Sequence, residues 1–238
     1  MKLSILLALL SGIILISCSK KDTTPNADPG NTTDRIKSET GDWGTSSYKY
    51  DGSGRQITTD YSNGSKRTYE YGAGTVTEKY YNSSAVLTQT YVFELNSDGL
   101  VAKETMPGVP GFQVTNIYNS DKTLAKSVTL QNGVSNSIDY FYSNGNCDSS
   151  RHSTNGTWSL TIKNTYYTNK ANAFALQNYG LSFFGKDDNN LQKTEQYTYP
   201  DGSALDMTTW TYEFDGQGRP VKQTSVRGAN MEIIYVAY

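Results

Sequence analysis

Apolar and polar residues alternate along most of the chain from residue 35 onward. The segment 210–214 shows this best, because Trp210, Tyr212 and Phe214 alternate with Thr211 and Glu213. Successive side chains of a β-strand point to opposite faces, so the pattern predicts a strand with one aromatic face and one polar face. The Asp-Gly-Gln-Gly sequence that follows is typical of a hairpin turn, and alternation resumes after it. The whole phrase predicts two antiparallel strands joined by a turn.

Looser copies of this phrase begin at residues 48 and 91, and Asn-Gly or Asp-Gly pairs punctuate the chain between them and beyond. The rhythm predicts strands near 34–39, 46–51, 55–62, 66–72, 75–82, 86–96, 100–106, 112–119, 124–131, 135–143, 147–153, 157–167, 191–199, 206–214, 219–227 and 230–237. We therefore predict an all-β antiparallel meander of about 14–16 strands, rolled into a barrel or half-barrel.

One long stretch, 168–190, breaks the alternation. Asn172 is suited to cap a short helix and Gly180 to end it, so we predict one short helix near 172–180. A connection of this length inside a compact domain is more often functional, or a plug over an open core, than a plain connector. Asp187 and Asp188 near its end lack the ligand spacing of a calcium loop, and we interpret them as part of a solvated turn.

The N-terminus has the pattern of an export signal. Lys2 precedes an apolar run over 3–16, which is shorter than the roughly 20 residues of a membrane-spanning helix but typical of a secretory signal. The run ends in Leu-Ile-Ser-Cys18, which resembles the lipobox of bacterial lipoproteins. That resemblance implies that Cys18 is lipidated, becomes the new N-terminus and holds the protein on a lipid bilayer. The alternative is an ordinary cleaved signal that happens to contain a cysteine.

These patterns divide the chain into a signal peptide over 1–17, a polar disordered tether over 18–33 and a single β domain over 34–238. Without the leader, 20 basic side chains face 23 acidic ones, a net charge of −3, and no basic block occurs. We therefore expect no nucleic-acid partner. With Cys18 lipidated, Cys147 stands alone and no internal disulfide is expected.

Motifs for catalysis, metals or cofactors are missing from the sequence, so we expect no cofactor and no enzyme. One enzymatic alternative stays open, a pair of acids for sugar hydrolysis, because glutamates occur on many strands. Against it, Glu70, Glu94 and Glu213 alternate with aromatic residues and should solvate the opposite face of the sheet.

The aromatic positions permit two interpretations. They form either a buried core or a concave surface that stacks sugars, peptides or lipid chains. Under the second interpretation, Trp158, Trp210 and Tyr212 are the candidate ligand-stacking residues.

The leader, the tether, the Tyr-x-Tyr-Asp-x-x-Gly-Arg hairpins and the excursion from Asn-Lys-Ala-Asn-Ala-Phe to Phe-Phe-Gly-Lys together resemble a family of Bacteroidota lipoproteins of unknown function. Its domain is described as porin-like and barrel-shaped. The hairpins alone also resemble the tyrosine-aspartate repeats of Rhs shell proteins and teneurins. The lipoprotein resemblance brings no catalytic residues.

From the residues and the resemblance together, we predict a non-enzymatic outer-membrane lipoprotein on the periplasmic face or the cell surface that binds a glycan, peptide or lipid. The alternative is a structural or adhesive surface module without a small-molecule ligand.

Overall fold

The computed structural model describes residues 35–238. They form sixteen antiparallel strands in meander order, and every strand pairs with its neighbours in sequence. The strands are β1 (Ser38–Gly41), β2 (Gly44–Tyr50), β3 (Gln56–Tyr61), β4 (Lys66–Gly72), β5 (Thr75–Tyr81), β6 (Leu87–Leu95), β7 (Val101–Thr105), β8 (Gln113–Tyr118), β9 (Leu124–Gln131), β10 (Val134–Ser143), β11 (Asn146–Thr154), β12 (Thr157–Ala171), β13 (Asn190–Thr198), β14 (Thr208–Phe214), β15 (Pro220–Arg227) and β16 (Asn230–Ala237). The predicted all-β meander is confirmed.

The sheet closes on itself, because β1 pairs with β16 in the register Ser38↔Ala237 and Thr40↔Tyr235. Closure satisfies the backbone groups that two free edges would expose. Of the two shapes that the alternation permits, the chain adopts the closed barrel. Short 3₁₀ helices at Leu176–Tyr179 and Ser182–Phe184 are the helical elements of the described chain, the first lying within the predicted range. No helix among residues 35–238 is long and apolar enough to cross a membrane.

The hairpin turns alternate between the two ends of the barrel. The turns after β2 and β14 carry the repeated Asp-Gly phrase, and both work in the same way. In the first, Asp51 Oδ1 accepts hydrogen bonds of 2.9 Å from the backbone N–H of Ser53 and Arg55, and Asp51 Oδ2 pairs with the Arg55 guanidinium at 2.7 Å. Asp215 and Arg219 repeat these contacts. This confirms that the recurrent aspartates serve turn chemistry.

The connection from β12 to β13 folds into the barrel instead of away from it. We call residues 172–189, which carry both 3₁₀ helices, the plug segment. Gly180 passes so close to the β2–β3 turn that a Cβ there would lie 2.5 Å from Gln56 N, and its φ is +70°. Gly185 passes equally close to the Tyr118 ring, 2.8 Å from where its Cβ would stand. Only glycine permits both approaches.

Aromatic side chains of the plug segment meet inward-facing residues of β4 to β7. Phe183 lies against Phe93, with ring centroids 5.8 Å apart, and Phe184 meets Phe93 at 5.2 Å. Tyr69, Val76, Phe93 and Val101 of the barrel wall are between 0% and 5% exposed. The hydrophobic core of the protein therefore fills the end of the barrel that holds the plug segment, and we call this the plugged half.

Candidate functional site

Carboxylates hold the plug segment in place, Glu39 from the barrel wall and Asp187 from within the segment itself. Tyr179 donates a hydrogen bond from its hydroxyl to Glu39 of β1, and Tyr48 donates another to the second oxygen of the same carboxylate at 2.6 Å. Asp187, which is 5% exposed, accepts a hydrogen bond from the backbone N–H of Leu176. These contacts hold the first 3₁₀ helix at both ends.

Asp188 makes the matching attachment to the β10–β11 hairpin. Its Oδ1 accepts the backbone N–H of Cys147 at 2.6 Å, and its Oδ2 accepts the Tyr166 hydroxyl at 3.0 Å. Burial raises the pKa of Asp187 well above its ordinary value and that of Asp188 to about 7. The prediction of a solvated turn here was wrong, because both aspartates point inward and serve as acceptors for backbone groups that the plug would otherwise leave unpaired.

In the other half of the barrel, most inward side chains stay partly exposed, so solvent reaches this part of the lumen, although Glu78 and Thr208 are only 6% exposed. We call this the open half. A first lumenal cluster lies on β4 to β7 and contains Arg67, Glu78, Tyr80, Tyr91 and Glu104. Arg67 Nε lies 3.2 Å from Glu78 Oε1, and the Arg67 guanidinium stacks over the Tyr80 ring at 4.5 Å. Tyr80 donates its hydroxyl to Glu78 at 3.3 Å.

Glu104 gives the first cluster its acidic character. It faces the lumen opposite Phe93 in the register of β6 and β7. Burial raises the pKa of Glu104 to about 7, and the nearby charge of Glu78 adds to the increase. Tyr91 stands beside it, with its ring 5.9 Å from Tyr80. The cluster thus combines an aromatic wall, one ion pair and one carboxyl group that is half-protonated near neutral pH.

A second lumenal cluster lies on β13 to β15, on nearly the opposite side of the barrel wall from the first cluster. Arg227 Nη2 contacts Glu195 Oε1 at 3.0 Å, and its guanidinium lies over the Tyr197 ring at 4.8 Å. Arg227 Nε donates to Thr208 Oγ1 at 2.5 Å. Trp210 faces inward two residues along β14 from Thr208 and is half-buried. Both clusters therefore present an arginine, a carboxylate and aromatic rings to the same solvent-reached lumen.

The three predicted stacking residues do not lie together. Trp210 lines the open half. Tyr212 also faces inward but lies against the plug segment, with its ring 5.9 Å from Phe174 and its hydroxyl donated to Gln192 O at 3.0 Å. Trp158 lies on the outer face, where Arg151 stacks on it at 5.4 Å. A β-bulge at Ser159, where Ser153 pairs with Trp158 and His152 with Leu160, reverses the alternation and turns Trp158 outward.

Cys18, the remaining predicted site residue, lies outside the described residues. Among residues 35–238, no group of three or more His, Cys, Asp or Glu side chains is arranged to hold a metal ion. Cys147 is buried under the plug segment, and its Sγ donates to Ser149 O at 3.4 Å.

A cleft of about 470 Å³ opens between the plug segment and the turns that follow β2, β4, β6 and β8. Its lining includes Arg55, Leu95, Lys122 and Phe183. Arg55 is already paired with Asp51 and stacked on Tyr71 at 4.4 Å. Gly72, Gly99, Gly180 and Gly185 form part of the remaining surface, and Asp98, Gln177 and Lys186 add polar side chains to it.

Solved structures share this fold. A porin-like protein from Bacteroides uniformis ATCC 8492 is similar with a TM-score of 0.59 and 17% identity, over 93% of this chain and 95% of that chain. A porin-like protein from Bacteroides vulgatus ATCC 8482 is similar with a TM-score of 0.60 and 12% identity, over 86% and 98%. No family model and no curated protein matches the chain. The porin-like barrel expected from the lipoprotein resemblance is confirmed, and neither structure is described as a tyrosine-aspartate repeat protein.

Proposed function

We propose that this protein is a cell-envelope lipoprotein, anchored through Cys18, that binds a ligand in the open half of its barrel without catalysing a reaction. The main observation in support is that the two ends of the same lumen differ. One end is filled by the plug segment, and the other is reached by solvent and lined by two clusters of charged and aromatic side chains. A lumen closed at one end suits binding better than passage.

The outer face of the barrel supports an anchored protein that stands in water. Outward positions on β4 to β7 and β14 to β15 carry lysine–glutamate pairs, Lys79–Glu70 and Lys222–Glu213 at 2.6 Å and Lys103–Glu94 at 3.1 Å. A transmembrane barrel instead carries an apolar band about 25 Å tall on its outside. Such a barrel needs another attachment to the membrane, which lipidated Cys18 would supply on the periplasmic face of the outer membrane or on the cell surface.

The lumenal side chains favour a ligand with many polar groups, a glycan or a peptide. Each cluster offers an aromatic face for stacking and a charged pair for hydrogen bonds, the combination that small polar ligands require. An acyl chain in the same place would cover Arg67 and Glu104 without replacing their contacts with water, which is costly. The aromatic positions of the open half are half-exposed, whereas a purely structural module would need them buried.

An enzymatic alternative has one observation in its favour, because Glu78 and Glu104 face the same part of the lumen. Glu78, however, is already engaged by Arg67 and Tyr80, which leaves Glu104 without a second mobile acid. We expect no release of reducing ends when the protein is incubated with a panel of glycans. If the parent chain releases reducing ends and the Glu104→Gln variant does not, the protein is a glycoside hydrolase and not a binding protein.

Tryptophan fluorescence tests the binding function, because Trp210 is the lumenal one of the three tryptophans. In a Trp43→Phe/Trp158→Phe variant, glycans or peptides that enter the lumen should quench or shift the Trp210 emission. The matched control, Trp210→Phe, keeps both outer tryptophans and should give a flat titration. A flat response from Trp210 across glycan and peptide panels would contradict the proposal.

The anchor has its own test. Radiolabelled palmitate should enter the protein in the native host and should be absent from Cys18→Ala. If palmitate does not enter and Cys18→Ala leaves the membrane fractionation unchanged, the lipoprotein assignment is wrong, whatever the result of the fluorescence titration.

A further inference from the structure

Large apolar side chains that remain exposed are concentrated at the open end of the barrel. At six of the eight hairpin turns there, at least one exposed large apolar residue lies in the turn or within three residues of it. We take one such residue from each of the six turns. These residues are between 37% and 62% exposed: Trp43, Leu87, Leu130, Trp158, Met207 and Met231. Apolar exposure concentrated at one end of a protein marks an interaction surface. We call this ring the apolar rim.

The charges at the two ends of the barrel differ as well. The turns at the open end contain three aspartates, Asp42, Asp201 and Asp206, and no lysine or arginine. The three residues on either side of each turn, counted as for the apolar rim, add five basic and four acidic side chains, so this end is weakly acidic. The turns and plug segment at the other end include Arg55, Lys122, Lys186 and Arg219 together with several aspartates. The apolar rim is therefore not suited to anionic surfaces, which attract clusters of Lys and Arg.

We propose that the apolar rim docks on the surface of an electrically neutral lipid bilayer, with the mouth of the lumen facing the lipid. Separate apolar tips spread around a ring match a planar apolar layer, whereas a protein partner usually requires one continuous, closely packed patch. Tryptophan and tyrosine are favoured at the membrane–water interface, and Trp43, Trp158 and Tyr199 are all on the rim.

The position of the N-terminal segment is compatible with this orientation. Residue 35 lies at the plugged end, where Arg35 Nη1 donates to Gln177 O at 2.9 Å. From Cys18 to Arg35 the chain advances by 17 residues, which span at most about 56–61 Å when extended. Strands of seven or eight residues are only about 25 Å long. A lipid on Cys18 therefore reaches the same bilayer that the apolar rim contacts.

This inference deepens the proposed function, since a mouth that faces the bilayer receives its glycan or peptide from a molecule held in that membrane. Docking of the apolar rim does not need the lipid on Cys18, so docking and lipid anchoring can be tested separately. The chain from residue 19 keeps the entire barrel, whose sheet closes within residues 35–238, and it lacks the lipidation site.

Co-sedimentation with phosphatidylcholine vesicles tests the docking. The chain from residue 19 should sediment with the vesicles, and a triple variant Leu87→Ser/Leu130→Ser/Met231→Ser should bind about tenfold less or weaker still, because it loses apolar area at three points of the rim. The matched control is Ile117→Ser/Phe141→Ser, which removes exposed apolar side chains from the outer wall away from the rim. This control should bind like the parent chain.

Three outcomes would overturn the proposal: no sedimentation of the parent chain, equal losses in the rim variant and the wall control, or a dimer in light scattering that the rim variant alone dissociates. The last result would assign the apolar rim to a second copy of the chain. A positive Trp210 titration without vesicles, combined with no sedimentation, would leave the binding function intact and remove only the docking.

Discussion

The two halves of the barrel share one repeating strand pattern but differ in what fills them. In the plugged half, inward aromatic residues such as Phe93 meet the aromatic residues of the plug segment and lose contact with water. In the open half, inward residues such as Tyr91, only two positions away, stay partly exposed and near charged neighbours, although one face of the Tyr91 ring stacks on Phe93 at 6.4 Å. The same alternation thus yields a hydrophobic core at one end and a recognition surface at the other, and the plug segment decides which.

The largest expected effect is on stability in the plugged half. Phe93→Ala removes a ring that is 2% exposed and contacts Phe183 and Phe184, so it should lower the free energy of unfolding by about 3–5 kcal/mol. Tyr91→Ala, on the same face of β6, should cost only roughly 1–2 kcal/mol because its ring is half-exposed. Urea unfolding measures both. Equal losses would show that the two halves are not distinct.

The next effect is a pH dependence of the plug segment. The pKa of Asp188 is raised to about 7 by burial, so its protonated form favours the folded state. The stabilisation is fully present below the ordinary pKa of an aspartate near 3.8 and is lost as pH rises through about 7. Asp187, with its pKa also raised, acts in the same direction.

Hydrogen exchange locates this dependence. Protection factors of the plug-segment amides should fall between about pH 4 and 7, the interval between the ordinary and the raised pKa of Asp188, and Asp188→Asn should flatten the fall. Glu104→Gln is the matched control, because the pKa of Glu104 is also about 7 but its carboxyl group lies in the open half. This variant should leave the protection of the plug segment unchanged. Protection that is constant with pH in the parent chain would show that the carboxylates do not govern the plug.

The smallest effect is expected on the outer wall. Glu94→Ala breaks an ion pair with Lys103 in which both side chains are more than a third exposed, so the loss should lie within about 0.2–1 kcal/mol and shrink at high salt. Thermal unfolding at low and high salt measures it. A loss as large as that of Phe93→Ala would mean that the wall, and not the plugged half, stabilises the barrel.

Much of this architecture follows from the sequence. The alternation predicts about 14–16 strands, close to the sixteen observed, although β1 begins at Ser38 and not at residue 34. The alternation of Glu70, Glu94 and Glu213 with aromatic residues predicts that these glutamates point outward, where they pair with lysines. These features are local, since each depends on residues a few positions apart. Closure of the barrel depends on the pairing of β1 with β16, almost 200 residues apart, which no local pattern encodes.

The features that the sequence did not reveal depend on tertiary contacts. Asp187 and Asp188 have the composition of a surface turn, yet the folded chain supplies backbone donors for both, Leu176 N–H of the plug segment for Asp187 and Cys147 N–H of the barrel wall for Asp188. Trp158 continues the aromatic alternation of its strand, yet a one-residue bulge turns it outward. Part of the first lumenal cluster is predictable from the sequence, because Glu78 and Tyr80 alternate on β5 in phase with Val76, which points inward. Only the folded sheet brings Glu104 of β7 beside them.

Thiol labelling tests the difference between the two halves most directly. In the chain from residue 19, Cys147 lies in the plugged half and is 5% exposed, whereas Ser225, the cross-strand neighbour of Trp210, faces the open half. A polar maleimide should modify the Ser225→Cys variant rapidly at the new position while Cys147 stays unmodified in the same molecule. Slow labelling at position 225, or labelling of Cys147 at the same rate, would contradict the account of one plugged half and one open half.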